Sequence, residues 1–182
     1  MNDNYNYNID TSLFDMENYD TKILEKHFLG SQGKKVTTAY TSCEDFPIIV
    51  PKYATDLEVF NSRLNKTVKG SIQETLFDYS ALVGSIYSGN DYVFYGYGEQ
   101  GLLTVKNADI HDGRHILIIK TSFADCMYPY LAAAVEHMDI IDARYFKGSL
   151  QTFINKTKPD TVIMIYGVTS LNSAGDDAFD FR

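Results

Sequence analysis

Three continuous apolar runs in the last third of the chain predict buried strands, at residues 115–120, 138–142 and 161–166. Such runs are typical of parallel strands that are covered on both faces. Ser149 can cap a helix whose apolar face lies within 150–154. Between the first two runs, apolar residues recur at helical spacing: Met127, Tyr130, Leu131, Ala134, Val135 and Met138. The resulting β-α-β-α-β order predicts parallel strands joined by right-handed crossovers.

The preceding 110 residues carry shorter and more mixed signals. Residues 1–20, rich in Asn, Asp and Tyr, are predicted to be a loose lead-in to a single domain over 21–182. Residues 21–29 are compatible with a short helix that ends at glycine. Residues 55–63 predict an irregular turn or edge, and 73–79 are compatible with a helix. Strand-like segments lie at 36–40, 46–50, 66–72, 92–95 and 102–106. The sequence therefore predicts an α/β fold with a C-terminal βαβαβ unit and a mixed, partly β N-terminal region.

Composition excludes several classes of protein. Lys and Arg total 16 against 24 Asp and Glu, a net charge of −8. This sign argues against nonspecific binding to nucleic acid and to anionic membranes. No apolar run approaches the ~18 residues of a membrane span, and the N-terminus has no basic and apolar regions of a secretory signal. Cys43 and Cys126 form no zinc motif, and sequence leaves open whether they pair. We expect no metal and no cofactor.

A candidate site follows from the predicted parallel strands. Ligands of open parallel sheets bind beyond the carboxyl ends of the strands. The segments after the three runs should therefore converge on one edge. They contain Thr121 and Ser122, then Arg144, and finally residues 167–170 with Asn172 shortly beyond.

Each candidate side chain has a simpler alternative. Ser122 lies where a buried strand is expected to meet a helix, so its hydroxyl could act beside backbone N–H groups that hold an oxyanion. It could equally be the helix N-cap. Arg144 could bind a carboxylate or a developing negative charge, or form a salt bridge with Asp142 or Asp125. Tyr128 could lend a hydroxyl, or be a packed aromatic with a solvated tip.

At these residues the chain resembles the DHHW family of bacterial proteins, which is related to SGNH-like acetyltransferases of alginate and other exopolysaccharides. The resemblance is carried by residues 116–154. This segment contains a strand followed by Lys-Thr-Ser, then Asp-x-Arg-Tyr-Phe after the next strand, then a Gly-Ser helix start. Weaker similarity covers residues 28–36, 46–56 and 71–106, so about four fifths of the chain fits.

The resemblance implies an SGNH/flavodoxin-like parallel sheet, incomplete relative to the family, with Ser122 as the nucleophile. Tyr128 and Arg144 match positions that contact substrate or the oxyanion in the alginate enzymes, and Thr121 precedes the serine as it does there. The resemblance also suggests an extracytoplasmic location in bacteria, although the chain shows no signal peptide. The family's Asp-x-His-Trp motif is missing, because the chain contains no Trp. None of the four histidines matches a family position: His27, His111, His115 and His137.

Together these features predict the serine-bearing part of an O-acyl esterase or acetyltransferase that acts on carbohydrate. A serine without a base is a poor nucleophile, and loss of triad members costs about four to six orders of magnitude in rate. We therefore expect the chain to be nearly inactive unless a missing N-terminal segment or a partner supplies a His–Asp pair. The alternative is a non-catalytic glycan- or protein-binding module that retains the fold, because the 14 tyrosines suit sugar stacking.

Overall fold

The computed structural model of the chain describes residues 7–167. Within them, eight strands and four helices follow one another: β1 Tyr19–Phe28, α1 Gly30–Val36, β2 Glu44–Pro51, β3 Leu57–Asn61, β4 Lys66–Gly70, α2 Ile72–Thr75, β5 Leu102–Asn107, β6 His115–Lys120, α3 Tyr128–Leu131, β7 His137–Asp142, α4 Leu150–Thr157 and β8 Thr161–Ile165. Short 3-10 turns separate them: Thr11–Phe14, Met16–Asn18, Tyr79–Val83, Asp91–Phe94, Ser122–Ala124 and Ala132–Ala134.

The strands form one mixed six-stranded sheet and a separate two-stranded ribbon. The sheet has the order β4-β3-β5-β7-β6-β8, and the ribbon consists of β1 and β2. β6 is parallel to both β7 and β8, whereas β5 pairs antiparallel with β7. The α/β class is therefore confirmed, and β6 lies between two parallel partners, β7 and β8. The sheet as a whole is mixed rather than parallel, because β3, β4 and β5 join it in antiparallel pairs.

The first crossover is shorter than the helical spacing predicts. Helical structure covers Tyr128–Leu131 and continues only as the 3-10 turn Ala132–Ala134, because β7 already starts at His137. The second crossover matches its prediction. The Ser149 hydroxyl accepts a hydrogen bond of 3.2 Å from the Thr152 N–H and caps α4.

Several expectations for the N-terminal region are wrong. Residues 21–29 form most of β1 instead of a helix, and 36–40 are no strand because α1 extends to Val36. Residues 55–63 contain β3, an inner strand of the large sheet. Residues 92–95 lie largely in the 3-10 turn Asp91–Phe94. In each case a partner distant in the sequence decides the local structure. β1, for example, is held by antiparallel pairing with β2.

The sheet separates two apolar layers. The larger layer packs the ribbon residues Phe46 and Ile48, together with α2 and α3, on the face that contains Ile116 and Met138. Tyr7, in the expected lead-in, also packs into this layer and is buried. The smaller layer packs α4 on the opposite face, with Leu150 against Leu117, Ile119 and Ile141. None of the helices within residues 7–167 has the length and apolar character that a membrane crossing requires.

Candidate active site

A pocket of about 570 Å³ lies at the carboxyl end of β6. Ser122 lies on its wall, two residues beyond the last residue of this strand. The other lining residues come from the ribbon, from α1, from the turn between β3 and β4, from the segment before β5, and from the segments after β6 and β7: Phe28, Ser31, Arg63, Asn90, Tyr92, Val93, Gly98, Glu99, Asp125 and Tyr145. The predicted edge of the sheet therefore carries a concave site that contains the predicted serine.

Ser122 is the first residue of the 3-10 turn Ser122–Ala124 and not its cap. Its backbone carbonyl accepts the N–H of Asp125. Its hydroxyl has no hydrogen-bond partner among residues 7–167. The N-cap alternative therefore does not describe this side chain. The hydroxyl is half-buried, faces the pocket and is free to engage a ligand.

A buried ion pair lies beside Ser122. Lys120, at the end of β6, is fully buried, and its Nζ donates to Asp125 Oδ1 at 2.5 Å. The Asp142 carboxylate, at the end of β7, lies 3.9 Å from the same nitrogen. Burial raises the pKa of Asp125 to about 7, although Lys120 acts in the opposite direction. The strand ends next to Ser122 are thus fixed by charges that compensate one another.

Arg144 lies at this edge, but two carboxylates already hold its guanidinium. Nε and Nη2 donate to Asp142 at 2.9 and 2.7 Å, and Nη2 also donates to Glu99 at 2.9 Å. The hydrogen bonds to Asp142 raise the pKa of Arg144. Glu99 also accepts from the Tyr145 hydroxyl at 2.7 Å. The geometry favours the salt-bridge alternative for Arg144, which then acts on the pocket by positioning Glu99.

Tyr128, in α3, is fully buried. Its hydroxyl donates to the Gly96 carbonyl at 2.8 Å and accepts from Gln100 Nε2 at 3.1 Å. Gly96 has a φ of 66°, and a Cβ there would lie 1.8 Å from the Tyr128 oxygen. This close contact makes Tyr128 a packed aromatic whose hydroxyl is satisfied by the protein.

Two of the predicted substrate-binding residues remain, Thr121 and Asn172. Thr121 is buried, and its hydroxyl accepts from the Gly167 N–H at 3.4 Å, which joins the ends of β6 and β8. Asn172 lies outside the described residues.

Lining residues of the same pocket flank a histidine–carboxylate pair in the sequence, and sequence reasoning missed this pair. His27 Nδ1 lies 2.8 Å from Asp91 Oδ2, and the aspartate is buried. His27 directly precedes the lining residue Phe28, and Asp91 lies between the lining residues Asn90 and Tyr92. Pairing through Nδ1 leaves Nε2 of the imidazole available for another group, since no second partner exists among residues 7–167.

An irregularity in the ribbon positions this histidine. The pairing of β1 with β2 shifts register between Leu24 and Phe28. At Lys26 the backbone adopts the left-handed conformation, with a φ of 50°, and the Lys26 N–H donates to Asp45 Oδ1. Bulges of this kind re-aim side chains and occur often beside active sites. Regular alternation along β1 would not have specified the direction of His27.

The segment that holds Asp91 also contacts the serine turn directly. The Tyr92 hydroxyl donates to the Phe123 carbonyl at 3.5 Å and to Cys126 Sγ at 3.2 Å. Cys126 and Cys43 are both free thiols. Arg63 supplies a positive charge to the pocket wall, and its guanidinium has no ion pair within residues 7–167. Arg63, rather than Arg144, is therefore available to an anionic group.

No protein-family model and no curated protein matches the chain. Bacillus cereus PatB1 with a sulfonyl adduct is similar in structure, with a TM-score of 0.67 and 16% identity over 92% of this chain and 52% of that one. A DHHW family protein from Eubacterium siraeum gives 0.67 and 18% over 91% and 53%. A second PatB1 structure gives 0.65 and 18% over 92% and 54%. At these identities the likeness shows a shared fold. The chain spans about half the length of these proteins.

Proposed function

We propose that this chain carries the active site of an SGNH-like serine O-acyl esterase or acetyltransferase that acts on carbohydrate. Ser122 is the nucleophile, His27 its general base, and Asp91 the carboxylate that orients the imidazole. One observation carries the proposal: lining residues of the Ser122 pocket flank both His27 and Asp91 in the sequence, and these two side chains pair at 2.8 Å. The pair replaces the external His–Asp that the sequence analysis required, so we now expect turnover by this chain.

The proposed roles of these three residues are those of a catalytic triad. The carboxylate holds Nδ1 and so fixes the tautomer, which leaves Nε2 to accept the serine proton. Ser122 Oγ attacks the acyl carbon of an ester while its proton passes to Nε2. The alcohol leaves with that proton, and an acyl-serine remains. Water or a sugar hydroxyl then attacks the acyl-serine with the same base. Residues 7–167 show no hydrogen bond between Nε2 and Oγ, and we expect this bond to form when substrate binds.

The rest of the pocket wall suits a sugar. Tyr92 and Tyr145 present aromatic faces with polar tips, and Glu99 offers an acceptor for hydroxyl groups. Glu99 is ionised at neutral pH. Burial raises its pKa, but the Tyr145 hydrogen bond and Arg144 outweigh that effect and lower it. We extend the proposal to Arg63, as the residue that binds an anionic group of the substrate.

Hydrolysis of p-nitrophenyl acetate tests the proposal directly. We expect Ser122→Ala and His27→Gln each to lower kcat/KM by about 10³-fold or more. Ser80→Ala, at an exposed serine of another 3-10 turn, and His111→Gln, at an exposed histidine, are matched controls that should retain full activity. Equal loss in a control, or full activity of Ser122→Ala, would refute the assignment.

Covalent labelling provides a second readout. A sulfonyl fluoride reacts with an activated serine hydroxyl, and peptide mapping identifies the modified residue. We expect modification at Ser122 in the wild type and much slower modification in His27→Gln. Modification at a different residue would contradict the role of Ser122.

The alternative is a glycan-binding module that retains the fold without chemistry. The tyrosines of the pocket wall favour it, since they would serve binding equally well. Acetylated oligosaccharide that binds equally well to the wild type and to Ser122→Ala, with no turnover of any ester, would support this alternative.

A further inference from the structure

Three side chains with metal-binding chemistry converge at the amino ends of β6 and β7, the end of the sheet opposite Ser122. His115 and His137 are the first residues of the two strands and are register partners. Asp139 follows His137 by two positions, so both side chains point to the same face of β7. Parallel pairing places His115 on that face as well. The fold therefore collects two imidazoles and a carboxylate within two adjacent strands.

The donor atoms of these residues lie close together. One ligand atom from each residue lies within 4.8 Å of the other two. His115 Nε2 lies 2.8 Å from Asp139 Oδ2, and His137 Nε2 lies 3.7 Å from the same oxygen. The two imidazole rings stack with centroids 3.9 Å apart and planes 5° apart. Both Nε2 atoms therefore face the carboxylate from the same side.

The cluster is incomplete as it stands. His137 Nε2 is buried and has no hydrogen-bond partner in the described part of the chain. A buried polar atom without a partner costs about 1–3 kcal/mol. The carboxylate is well supported, because the Thr104 hydroxyl donates to Asp139 Oδ1 at 2.6 Å. Burial raises the pKa of Asp139, but the hydrogen bonds from His115 and Thr104, together with the nearby His137, outweigh burial and hold the pKa well below its usual range.

The donor set identifies the class of ion. Imidazole nitrogens and a carboxylate oxygen suit Zn²⁺ and related first-row ions, and do not suit Mg²⁺ or Ca²⁺, which prefer oxygen ligands. In tetrahedral zinc sites with bonds of ~2.0–2.1 Å, neighbouring donors lie about 3.4 Å apart. The donor separations here, from 2.8 Å to at most 4.8 Å, bracket that value. Thr104 would then serve as the hydrogen-bond donor that orients a ligating carboxylate.

Space for a fourth ligand lies beside His137. A pocket of about 560 Å³ is lined by His137, His111 and Glu136, and also by Lys106. Water or one of these side chains can complete the coordination. Lys106 is the register partner of His137 on β5, so its ammonium opposes a cation at this position.

We propose that His115, His137 and Asp139 form a binding site for Zn²⁺ or a similar divalent transition-metal ion. The site lies at the opposite end of the strands from Ser122 and does not depend on the function proposed above. Its expected effect is on stability, because an ion that binds only the folded state shifts the unfolding equilibrium.

The test uses the untagged full chain, stripped of metal with EDTA and titrated with ZnCl₂ by calorimetry. CoCl₂ serves as a spectroscopic probe of imidazole coordination. We expect one equivalent to bind and the Tm to rise. We expect His137→Gln to weaken binding more than ~10-fold, while circular dichroism confirms its fold. His27→Gln removes a histidine at the other end of the sheet and should leave zinc affinity unchanged.

A surface variant keeps the test independent of folding. Lys106 is exposed, and Lys106→Gln removes a positive charge near the ion. We expect zinc to bind about threefold more tightly to this variant. Absence of binding to the wild type, equal binding to His137→Gln, or loss of binding in His27→Gln would each overturn the proposal. Unchanged ester hydrolysis in His137→Gln would show that the two sites are separate.

Discussion

The two ends of β6 and β7 carry buried charged groups that are satisfied to different degrees. At the carboxyl end, Lys120 meets both Asp125 and Asp142, and Arg144 also binds Asp142. At the amino end, His115 and His137 share the carboxylate of Asp139, and one imidazole nitrogen has no hydrogen-bond partner within residues 7–167. The same two strands thus end in a compensated network on one side and in an unsatisfied cluster on the other.

Because the buried charges are paired to different degrees, we expect the two ends to have different roles. A compensated network is rigid, and it holds the backbone around Ser122 while leaving the serine hydroxyl free. An unsatisfied cluster is stabilised when a cation binds to it. The pKa shifts of the two carboxylates run in the opposite sense to this division. Burial raises the pKa of Asp125, whereas hydrogen bonds overcome burial and lower that of Asp139.

The largest expected effect concerns the carboxylate behind His27. In Asp91→Asn the imidazole loses the partner that fixes its tautomer, and we expect kcat for p-nitrophenyl acetate to fall about 10³–10⁴-fold. Glu25→Gln is the matched control, because Glu25 is exposed and lies two residues before His27. A larger loss in Glu25→Gln than in Asp91→Asn would assign the orienting role to Glu25.

The next effect tests the compensated network. Lys120→Met removes a fully buried cation and leaves Asp125 and Asp142 without it. Breaking a buried pair in this way costs about 3–5 kcal/mol in the free energy of unfolding, which urea denaturation measures. Lys106→Met, at an exposed position of β5, should change stability by less than about 0.5 kcal/mol. Similar stabilities for the two variants would remove the distinction between the two ends.

The pH dependence of stability sharpens the same distinction. The pKa of Asp125 is raised in the folded state, so between about pH 4 and pH 7 the folded chain retains a proton that the unfolded chain releases. Unfolding is therefore favoured as pH rises through this window. Relative to Asp125→Asn, the wild type should lose stability on the order of a few kcal/mol between pH 4 and pH 7.

Asp139→Asn provides the control for this measurement. Because the pKa of Asp139 is lowered, its carboxyl is ionised in both states above about pH 5, and its stabilising contribution disappears only at lower pH. The wild type and Asp139→Asn should therefore show parallel stability curves between pH 5 and pH 7. If Asp125→Asn also runs parallel to the wild type, the Asp125 carboxyl is ionised throughout.

The smallest expected effect is a change in stability on removal of the N-cap of α4. Ser149 caps α4, which packs on the middle of β6 and β7. We expect Ser149→Ala to lower the free energy of unfolding by about 1 kcal/mol, with zinc affinity and ester hydrolysis unchanged. A selective loss at one end would show that α4 supports that end alone.

The parts of the fold that the sequence predicted correctly are those that local patterns determine. β6 and β7 are continuous apolar runs, and the Ser149 cap follows from residues within one turn. β1 was predicted to be a helix, because its pairing with β2 across the intervening α1 leaves no local signal. The segment 92–95 has apolar residues suited to a strand. It forms a 3-10 turn instead, because Phe94 stacks on Phe77, with ring centroids 4.8 Å apart.

In the candidate site, too, the sequence predicted only the residue that a local pattern marks. Ser122 was predicted from its place after a buried strand, and it lines the pocket. His27 was missed because the motif search required a Trp, whereas Glu25-Lys26-His27-Phe28 offers an acid, a histidine and a different aromatic residue at that spacing. Its carboxylate partner Asp91 lies 64 positions away, which no local pattern reports. The ion pairs of Arg144 with Asp142 and Glu99 likewise become visible only in the folded structure.

The ribbon of β1 and β2 supplies His27, while the large sheet supplies Ser122. The two units are joined by packing of Phe46 and Ile48 and by hydroxyl contacts, among them Tyr95 to Pro47 and Tyr130 to Ile49. Small units of this kind can detach at a lower free energy than the whole domain. Undocking of the ribbon would separate the proposed base, His27, from the proposed nucleophile, Ser122, while the sheet persists. Catalysis would then vanish at milder denaturant concentrations than circular dichroism registers, and a molecule that clamps ribbon to sheet would act as an activator.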